Sequence, residues 1–310
     1  MVAANLVSKD KPLDDNNVFA VDDNLKLLKS AAIYGANASG KSNLASALRF
    51  MQGFMIDSSK ETQSTDKIEI DRFKLSIETE NQPSFFEIVF LMDGKRYRYG
   101  FEATRDSIIS EWLFYVPKVR ETELFQRTPD RIVCSKSYKA DGVEERTRKN
   151  ALFLSVSAQF NVQIAEEILE YQFDKLKVIS SLDDRGYRAY TIKYLIENYN
   201  RSEIINLLGK LDLGFNKIRI NEDEMEIVGL SPTRTEELKI LELRQAEANV
   251  ASVKTGHRKF DDDGISTTTV FFDLDEHESE GTRKIFALVG PLIDTLKNGR
   301  VLLHHIYSFQ

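Results

Sequence analysis

Eight residues, Gly35-Ala-Asn-Ala-Ser-Gly-Lys-Ser42, match the pattern G-x-x-x-x-G-K-[ST] without deviation. Their types and spacing suit one chemistry, the binding of nucleoside triphosphate phosphates. Such a turn presents consecutive backbone N–H groups to an oxyanion. Gly40 permits close approach, Lys41 reaches the β- and γ-phosphates, and the Ser42 hydroxyl holds Mg²⁺. The helix that starts there adds its positive end. In a chain of 310 residues a chance match is on the order of one in a hundred.

A phosphate loop has to be held between a strand and a helix. The segment 25–34 becomes continuously apolar towards Ile33 and Tyr34, which predicts a buried parallel strand. From Lys41 onwards, Leu44, Leu48, Met51 and Met55 recur at helical spacing and predict one apolar helix face. A second segment, Glu278-Ser-Glu-Gly-Thr-Arg-Lys284, opens the last amphipathic pattern of the chain. Ser279 is placed as an N-cap, and Gly281 leaves backbone N–H groups uncovered. Taken alone this is a capped helix. Beside a phosphate loop it also fits a second helix start offered to a γ-phosphate.

The other elements follow from periodicity. Residues 84–102 form two alternating runs joined by Asp93-Gly94, a type I′ turn signal. Pairing about that turn sets Phe90 opposite Tyr97, Ile88 opposite Tyr99 and Phe86 opposite Phe101, with Arg96, Arg98 and Glu102 on the other face. The Arg-Tyr-Arg-Tyr run resembles a nucleic-acid stacking platform in composition, and reads more simply as a half-buried hairpin with a solvated charged face. Residues 118–149 carry nine basic and six acidic side chains with little periodicity, the pattern of an exposed excursion. Helical patterns follow near 161–173, 188–211 and 235–250, and strand-like pieces at 175–180, 217–220 and 267–274. The last helix, with Ile285, Leu288, Val289, Leu292, Ile293 and Leu296, stops at Asn298-Gly299.

Composition excludes several classes. At 42% hydrophobic and 29% charged residues, with 6 Pro and 15 Gly, the chain is neither collagenous nor disordered. The single Cys134 offers no internal disulfide, and no Cys/His cluster has zinc spacing; a cytoplasmic protein is expected. No apolar run approaches membrane-spanning length and no signal peptide opens the chain, so no membrane partner is expected. The net charge of −7 is concentrated in 261–280, which holds eight acids and no Lys or Arg. A nucleic-acid partner is neither implied nor excluded by that balance. Most of those acids are expected to face solvent, because they would repel a bound triphosphate.

Four stretches together, Lys29 to Leu44, the hairpin Phe86 to Glu102, Asn150-Ala-Leu-Phe-Leu-Ser155 and Glu278 to Lys284, resemble prokaryotic AAA-family ATP-binding proteins with an ABC-type head. These are relatives of the heads of SMC proteins and of OLD-family nucleases, many encoded in phage-defence loci. The resemblance implies an α/β fold: a P-loop NTPase of ABC-type head with an antiparallel β subdomain and an inserted α-rich lobe. Residues 1–115 and 265–310 would form the discontinuous head, and 116–264 the inserted lobe. It further implies ATP and Mg²⁺ as ligands, held by Gly35, Ala36, Asn37, Ala38, Ser39, Gly40, Lys41, Ser42 and Asn43, with Ser42 on the metal. Gln159 takes the place of a glutamine that contacts Mg²⁺ and water. A homodimer would close as an ATP sandwich, with Ser279, Gly281 and Thr282 of one copy facing the γ-phosphate bound to the other. An effector nuclease or another protein is a further implied partner.

ATPases of this kind carry an acidic pair after a second apolar strand. After Val301-Leu-Leu303 the chain instead reads His304-His-Ile-Tyr-Ser-Phe-Gln310, and adjacent histidines on a strand point to opposite faces. The family's opening strand is also clipped, so the sequence is expected to be a truncated or frame-disrupted product. Three functions stay open: an ATP hydrolase, a non-hydrolysing ATP-binding regulatory or interaction subunit, and a small-molecule kinase. The last lacks a lid-like arginine cluster.

Overall fold

The computed structural model describes residues 15–21, 25–36, 39–60, 63–73, 75–117, 120–180, 185–197, 201–215, 217–220 and 252–305. The chain divides into two compact units, Met1–Val178 and Ile179–Gln310.

The first unit is built on a five-stranded antiparallel meander, β3 (Ser84–Met92), β4 (Lys95–Ala103), β5 (Ile108–Val116), β6 (Thr122–Arg127) and β7 (Ile132–Cys134), paired in sequence order. Before it come the ribbon β1 (Val18–Ala20) and β2 (Lys26–Leu28), and the helix α1 (Lys41–Asp57). After it come α2 (Phe153–Gln159), α3 (Gln163–Lys175) and β8 (Leu176–Ser180), which crosses the junction of the units in sequence. The β3–β4 register sets Phe90 against Tyr97, Ile88 against Tyr99 and Phe86 against Phe101, as the Asp93-Gly94 turn predicts. Both turn residues have positive φ, 50° and 70°, as a type I′ turn requires.

One face of the sheet is aromatic and buried. Tyr99, Phe101, Leu113 and Phe125 form a core with Met51 and Met55 of α1, Phe153 of α2 and Ile168 of α3. On the other face Arg98 donates to both carboxylate oxygens of Glu121 (2.8 and 2.7 Å) and to Glu87 (3.0 Å), and lies over Phe114. The tyrosines are thus inside and Arg98 is already neutralised, which removes the stacking platform. Gly100 is required here because a Cβ would stand 2.5 Å from the Trp112 ring and 2.7 Å from the Phe86 carbonyl oxygen.

Two expectations for this unit change. The segment 25–34 forms only β2, antiparallel to β1; from 31 to 36 there is no strand, and Ile33 and Tyr34 are 46% and 91% exposed. The ribbon ends at Ser30, whose backbone N–H and C=O are both taken by the Asn17 side chain at 2.9 Å. A buried parallel strand needs neighbours on both sides, and among the described residues none lies beside 31–36. Residues 118–149 are not an exposed excursion either. They supply β6 and β7, and Leu124, Phe125, Arg127, Tyr138 and Ala140 are buried. Arg127 reads as a surface charge in sequence but points inward.

The second unit holds α4 (Arg185–Ile196), α5 (Arg201–Lys210), a three-stranded antiparallel sheet of β9 (Lys217–Ile220), β10 (Val253–Phe260) and β11 (Ser266–Asp273), the short α6 (Leu274–His277), α7 (Glu280–Asn298) and β12 (Val301–His305). The single helical pattern expected over 188–211 resolves into α4 and α5, and the expected helix at 235–250 lies outside the described residues. Ile204, Leu208, Val253, Leu274, Phe286 and Val289 are central to its core. α7 ends as its sequence predicts, on Gly299 in the left-handed conformation (φ 59°).

Pro291 lies inside α7 and cannot donate to the carbonyl of Ala287 four residues earlier. The Thr191 hydroxyl of α4 donates to that oxygen at 2.8 Å and accepts the Gly290 N–H at 3.0 Å. The helices approach this closely because residue 290 is glycine; a Cβ there would lie 2.9 Å from the Thr191 Cα.

Candidate phosphate-binding site

The loop that precedes α1 is shaped by its glycines and its lysine. Gly40 is left-handed (φ 87°) and is the N-cap of α1. A Cβ on Gly35 would sit 2.7 Å from the Ser39 hydroxyl. The Ser39 N–H donates to the Ala36 carbonyl (3.2 Å), and Lys41 Nζ curls back to donate to the Gly35 and Ala36 carbonyls, 2.7 Å each. Asn43 N–H closes the first helical turn onto the Gly40 carbonyl (3.0 Å). Asn37 and Ala38 lie outside the described residues. No side chain caps this helix and its first turn holds no acid. A helix start with a lysine and no counter-charge attracts an anion. The donor set fits the phosphates of a nucleotide, and the Ser42 hydroxyl at the second helical position fits a hard cation that accompanies them.

α1 is anchored along its length. Phe50 and Phe54 pack on Phe86 and Phe101 of the sheet. The buried Gln52 donates to the carbonyls of Gln172 (2.9 Å) and Leu176 (2.8 Å) at the end of α3. At its C-terminal end, Ser58 Oγ accepts the Leu152 N–H (3.2 Å), and Arg148 donates to the Ser58 carbonyl (3.2 Å). Asn150 is structural, donating to the carbonyls of Gln63 (2.7 Å) and Asp66 (2.9 Å).

Gln159 is the exposed last residue of α2, in the same unit as the phosphate loop. Its helix starts at a residue pair that sequence reasoning passed over. Glu111 of β5 accepts the N–H groups of Phe153 (2.6 Å) and Leu154 (3.0 Å) and the Tyr99 hydroxyl (3.0 Å). Arg127 of β6 stands 3.6 Å from the same carboxylate and donates to the carbonyls of Ala151 (2.6 Å) and Arg148 (3.0 Å). Burial pushes the Glu111 carboxyl above its usual range, opposed by Arg127 and the two amides. Strand parity was the available signal: Glu111 shares its face with Leu113 and Tyr115, and Arg127 shares its face with Phe125.

In the second unit Ser279, Gly281 and Thr282 come together at the start of α7. Ser279 is the N-cap, accepting the Thr282 N–H at 3.1 Å, with its hydroxyl 2.9 Å from that of Thr282. Gly281 is exposed and open around its Cα. Glu278 is bonded instead to Thr255 (2.5 Å) and His257 (2.7 Å). Asp275 pairs with Arg188 (2.8 Å), Glu280 pairs with Lys284 (2.7 Å), Asp273 caps α6, and Asp261 to Asp263 sit exposed in the β10–β11 turn.

No helix among the described residues is long and apolar enough to cross a membrane, and among them no group of three or more His, Cys, Asp or Glu is placed to hold a metal ion. Comparison with curated proteins gives no match. A family model does match, over residues 30–303, from the strand-side approach of the phosphate loop to the third residue of β12. The chain is an α/β P-loop NTPase, and it belongs to the family described as AAA domain, putative AbiEii toxin, Type IV TA system.

Proposed function

We propose that the chain is a Mg²⁺-ATP-binding head of ABC type that dimerises around ATP. The observation that carries this reading is the 35–42 loop: a left-handed Gly40 opening an uncapped, acid-free helix start beside Lys41. On binding, the Lys41 amine would exchange two backbone carbonyls for β- and γ-phosphate oxygens. The Ser42 hydroxyl and Gln159 would hold Mg²⁺, which neutralises charge on those oxygens. Residues 1–115 and 265–310 would make up the head and 116–264 its insertion. The family description, with its toxin–antitoxin term, supports a role in phage defence, and the chain would act in the cytoplasm.

Charge-assisted hydrogen bonds are worth about 1.5–3 kcal/mol, so Lys41→Ala should lower ATP affinity roughly ten- to hundredfold by calorimetry. Ser42→Ala should weaken Mg²⁺-ATP more than metal-free ATP. Unchanged affinity in Lys41→Ala removes the site.

Dimerisation is tested at the other end. A helix start acts on an anion only within about its first turn, so Ser279, Gly281 and Thr282 of one copy help only when pressed against the ATP of another. Gly281→Arg fills the open space beside Ser279 and should abolish ATP-dependent association in light scattering while leaving ATP affinity near the parent value. Association equal to the parent's refutes the sandwich.

One observation favours a second reading, a regulatory subunit that binds ATP without hydrolysing it. His304 and His305 follow Leu303 where a metal-binding Asp and a water-activating Glu are needed. Steady-state ATPase activity above that of Lys41→Ala would rule this out.

A further inference from the structure

The sheet of β9, β10 and β11 has two faces of different kind. Ile218, Ile220 and Val253 pack into the core of the second unit, and Thr255, of the same parity, is buried with them. On the opposite face, by strand alternation and register, lie Lys217 and Arg219 of β9, Lys254 and Arg258 of β10, and Thr269 and Phe271 of β11. Lys217, Arg219 and Arg258 are exposed and Lys254 is half-buried. Register sets Lys254 directly opposite Arg219, a like-charge pair that costs stability unless an anion comes between. Among the described residues none of the four cations is ion-paired. Asp273, across from Lys254 on the same face, spends its carboxylate on the Asp275 and Glu276 N–H groups and the Ser252 hydroxyl. The first unit differs, since Arg98 on the outer face of its sheet is neutralised by Glu121 and Glu87.

The middle of this face is shaped by Gly256. Lys217, Thr269 and Phe271 close over it: a Cβ there would stand 2.9 Å from Lys217 Cβ, 2.9 Å from Thr269 Cγ2 and 3.0 Å from the Phe271 ring. The Arg219 guanidinium lies over that ring, 3.8 Å from its centroid. Arg219 is thereby held in place, and the guanidinium face turned away from Phe271 is a surface on which a planar base stacks. Alternate residues of a strand stand about 6.6 Å apart, close to the spacing of successive phosphates in an extended single strand.

We infer that this face binds a single-stranded nucleic acid, with its phosphates on Lys217, Lys254 and Arg258 and a base on the Arg219–Phe271 stack. The whole chain carries a net charge of −7, so the attraction comes from the local patch. A duplex keeps its bases inside and leaves the stack without a ring, and an acidic peptide brings charge without a planar base. The inference uses none of residues 35–42 and stands apart from the ATP reading.

The test is fluorescence anisotropy on the full chain with labelled oligothymidine, oligouridine and duplex DNA of equal length and with a poly-glutamate peptide. Three phosphate contacts on a single strand give a log–log salt slope of about −2.1, roughly a twentyfold loss of affinity between about 50 and 200 mM salt. Lys217→Gln, Lys254→Gln and Arg258→Gln should each flatten that slope by about 0.7. Arg219→Lys keeps the charge and loses the planar stack, so it should weaken binding at least about fivefold at unchanged slope. Lys67→Gln, the same charge change in the first unit, and Lys41→Ala should both bind as the parent does. Oligothymidine against oligouridine separates DNA from RNA, and binding of either supports the inference.

No binding of either single strand at the lower salt, or parent-like slopes in all three glutamine variants, overturns it. Parent-like affinity in Arg219→Lys, or duplex bound as tightly as single strand, also overturns it and leaves a surface that reads phosphates alone. Poly-glutamate bound as tightly overturns it in favour of an acidic protein partner. If Lys41→Ala abolishes binding, the strand sits in the phosphate loop and this inference falls while the ATP reading stands.

Discussion

Thr191→Val tests whether a side chain of α4 repairs the backbone defect that Pro291 makes in α7. The substitution keeps the shape of the side chain and removes its hydroxyl, which donates to the Ala287 carbonyl at 2.8 Å and accepts the Gly290 N–H at 3.0 Å. Thr191 and Ala287 are buried, so water cannot replace the donor. A buried carbonyl left without a partner costs about 1–3 kcal/mol, and about 2 kcal/mol is expected. For a unit of this size that is roughly 6 °C in melting temperature. Pro291→Ala supplies the reference. It returns an N–H to the helix, aimed at the same Ala287 oxygen, so in that background Thr191→Val should cost about 1–2 kcal/mol less. Urea unfolding followed by far-UV circular dichroism gives all four corners of the cycle. Equal costs in both backgrounds would refute the reasoning, because the hydroxyl would then do nothing specific to the proline. The outcome bears on function, since α7 carries Ser279, Gly281 and Thr282 in its first turn.

Gly100→Ala should destabilise the first unit by about 1–3 kcal/mol through overpacking and shift the emission of Trp112, the chain's single tryptophan, read by urea titration followed by fluorescence. The Arg98 hydrogen bond holds the Glu121 carboxyl below its usual range, so the unfolded chain binds this proton more tightly than the native one. Glu121→Gln should therefore cost stability at neutral pH, and in urea titrations the gap should close as pH falls through the native value, below the ordinary 4.5. Burial, followed by the nearby Glu144 carboxylate, pushes the Cys134 thiol up to about 12, so a disulfide reagent at pH 8 should label it far more slowly in the native chain than in denaturant.

What was legible in the sequence is what short-range chemistry writes there. The β3–β4 register follows from Asp93-Gly94 and a two-residue period, and Ser279 and Gly299 mark the ends of α7 because capping is a local event. The start of α1 belongs to the same class: within the G-x-x-x-x-G-K-S match Gly40 turns left-handed and Lys41 opens the helix. Legibility failed where a residue's partner lies far along the chain. The apolar run to Tyr34 reads as a buried strand, but burial is supplied by neighbours, and among the described residues none is alongside. The charges of 118–149 read as exposure, yet Arg127 is buried because the carbonyls of 148 and 151 and the carboxylate of Glu111 are there to meet it.

Composition hides the same fact about Glu111. A lone acid in a strand counts as surface, and only its parity with Leu113 and Tyr115 places it inside, opposite Phe101. Parity therefore outranks charge in a strand with one buried face, because a one-residue slip would move every other side chain across the sheet. The sheet cannot expose Glu111 without exposing Leu113 and Tyr115 too. The acid stays inside, and the amides of α2, with Tyr99 and Arg127, are what make its burial tolerable. A buried carboxylate of this kind constrains what surrounds it, since α2 cannot move away without taking two of its three hydrogen bonds, leaving only the Tyr99 hydroxyl and the nearby Arg127 in an aromatic core.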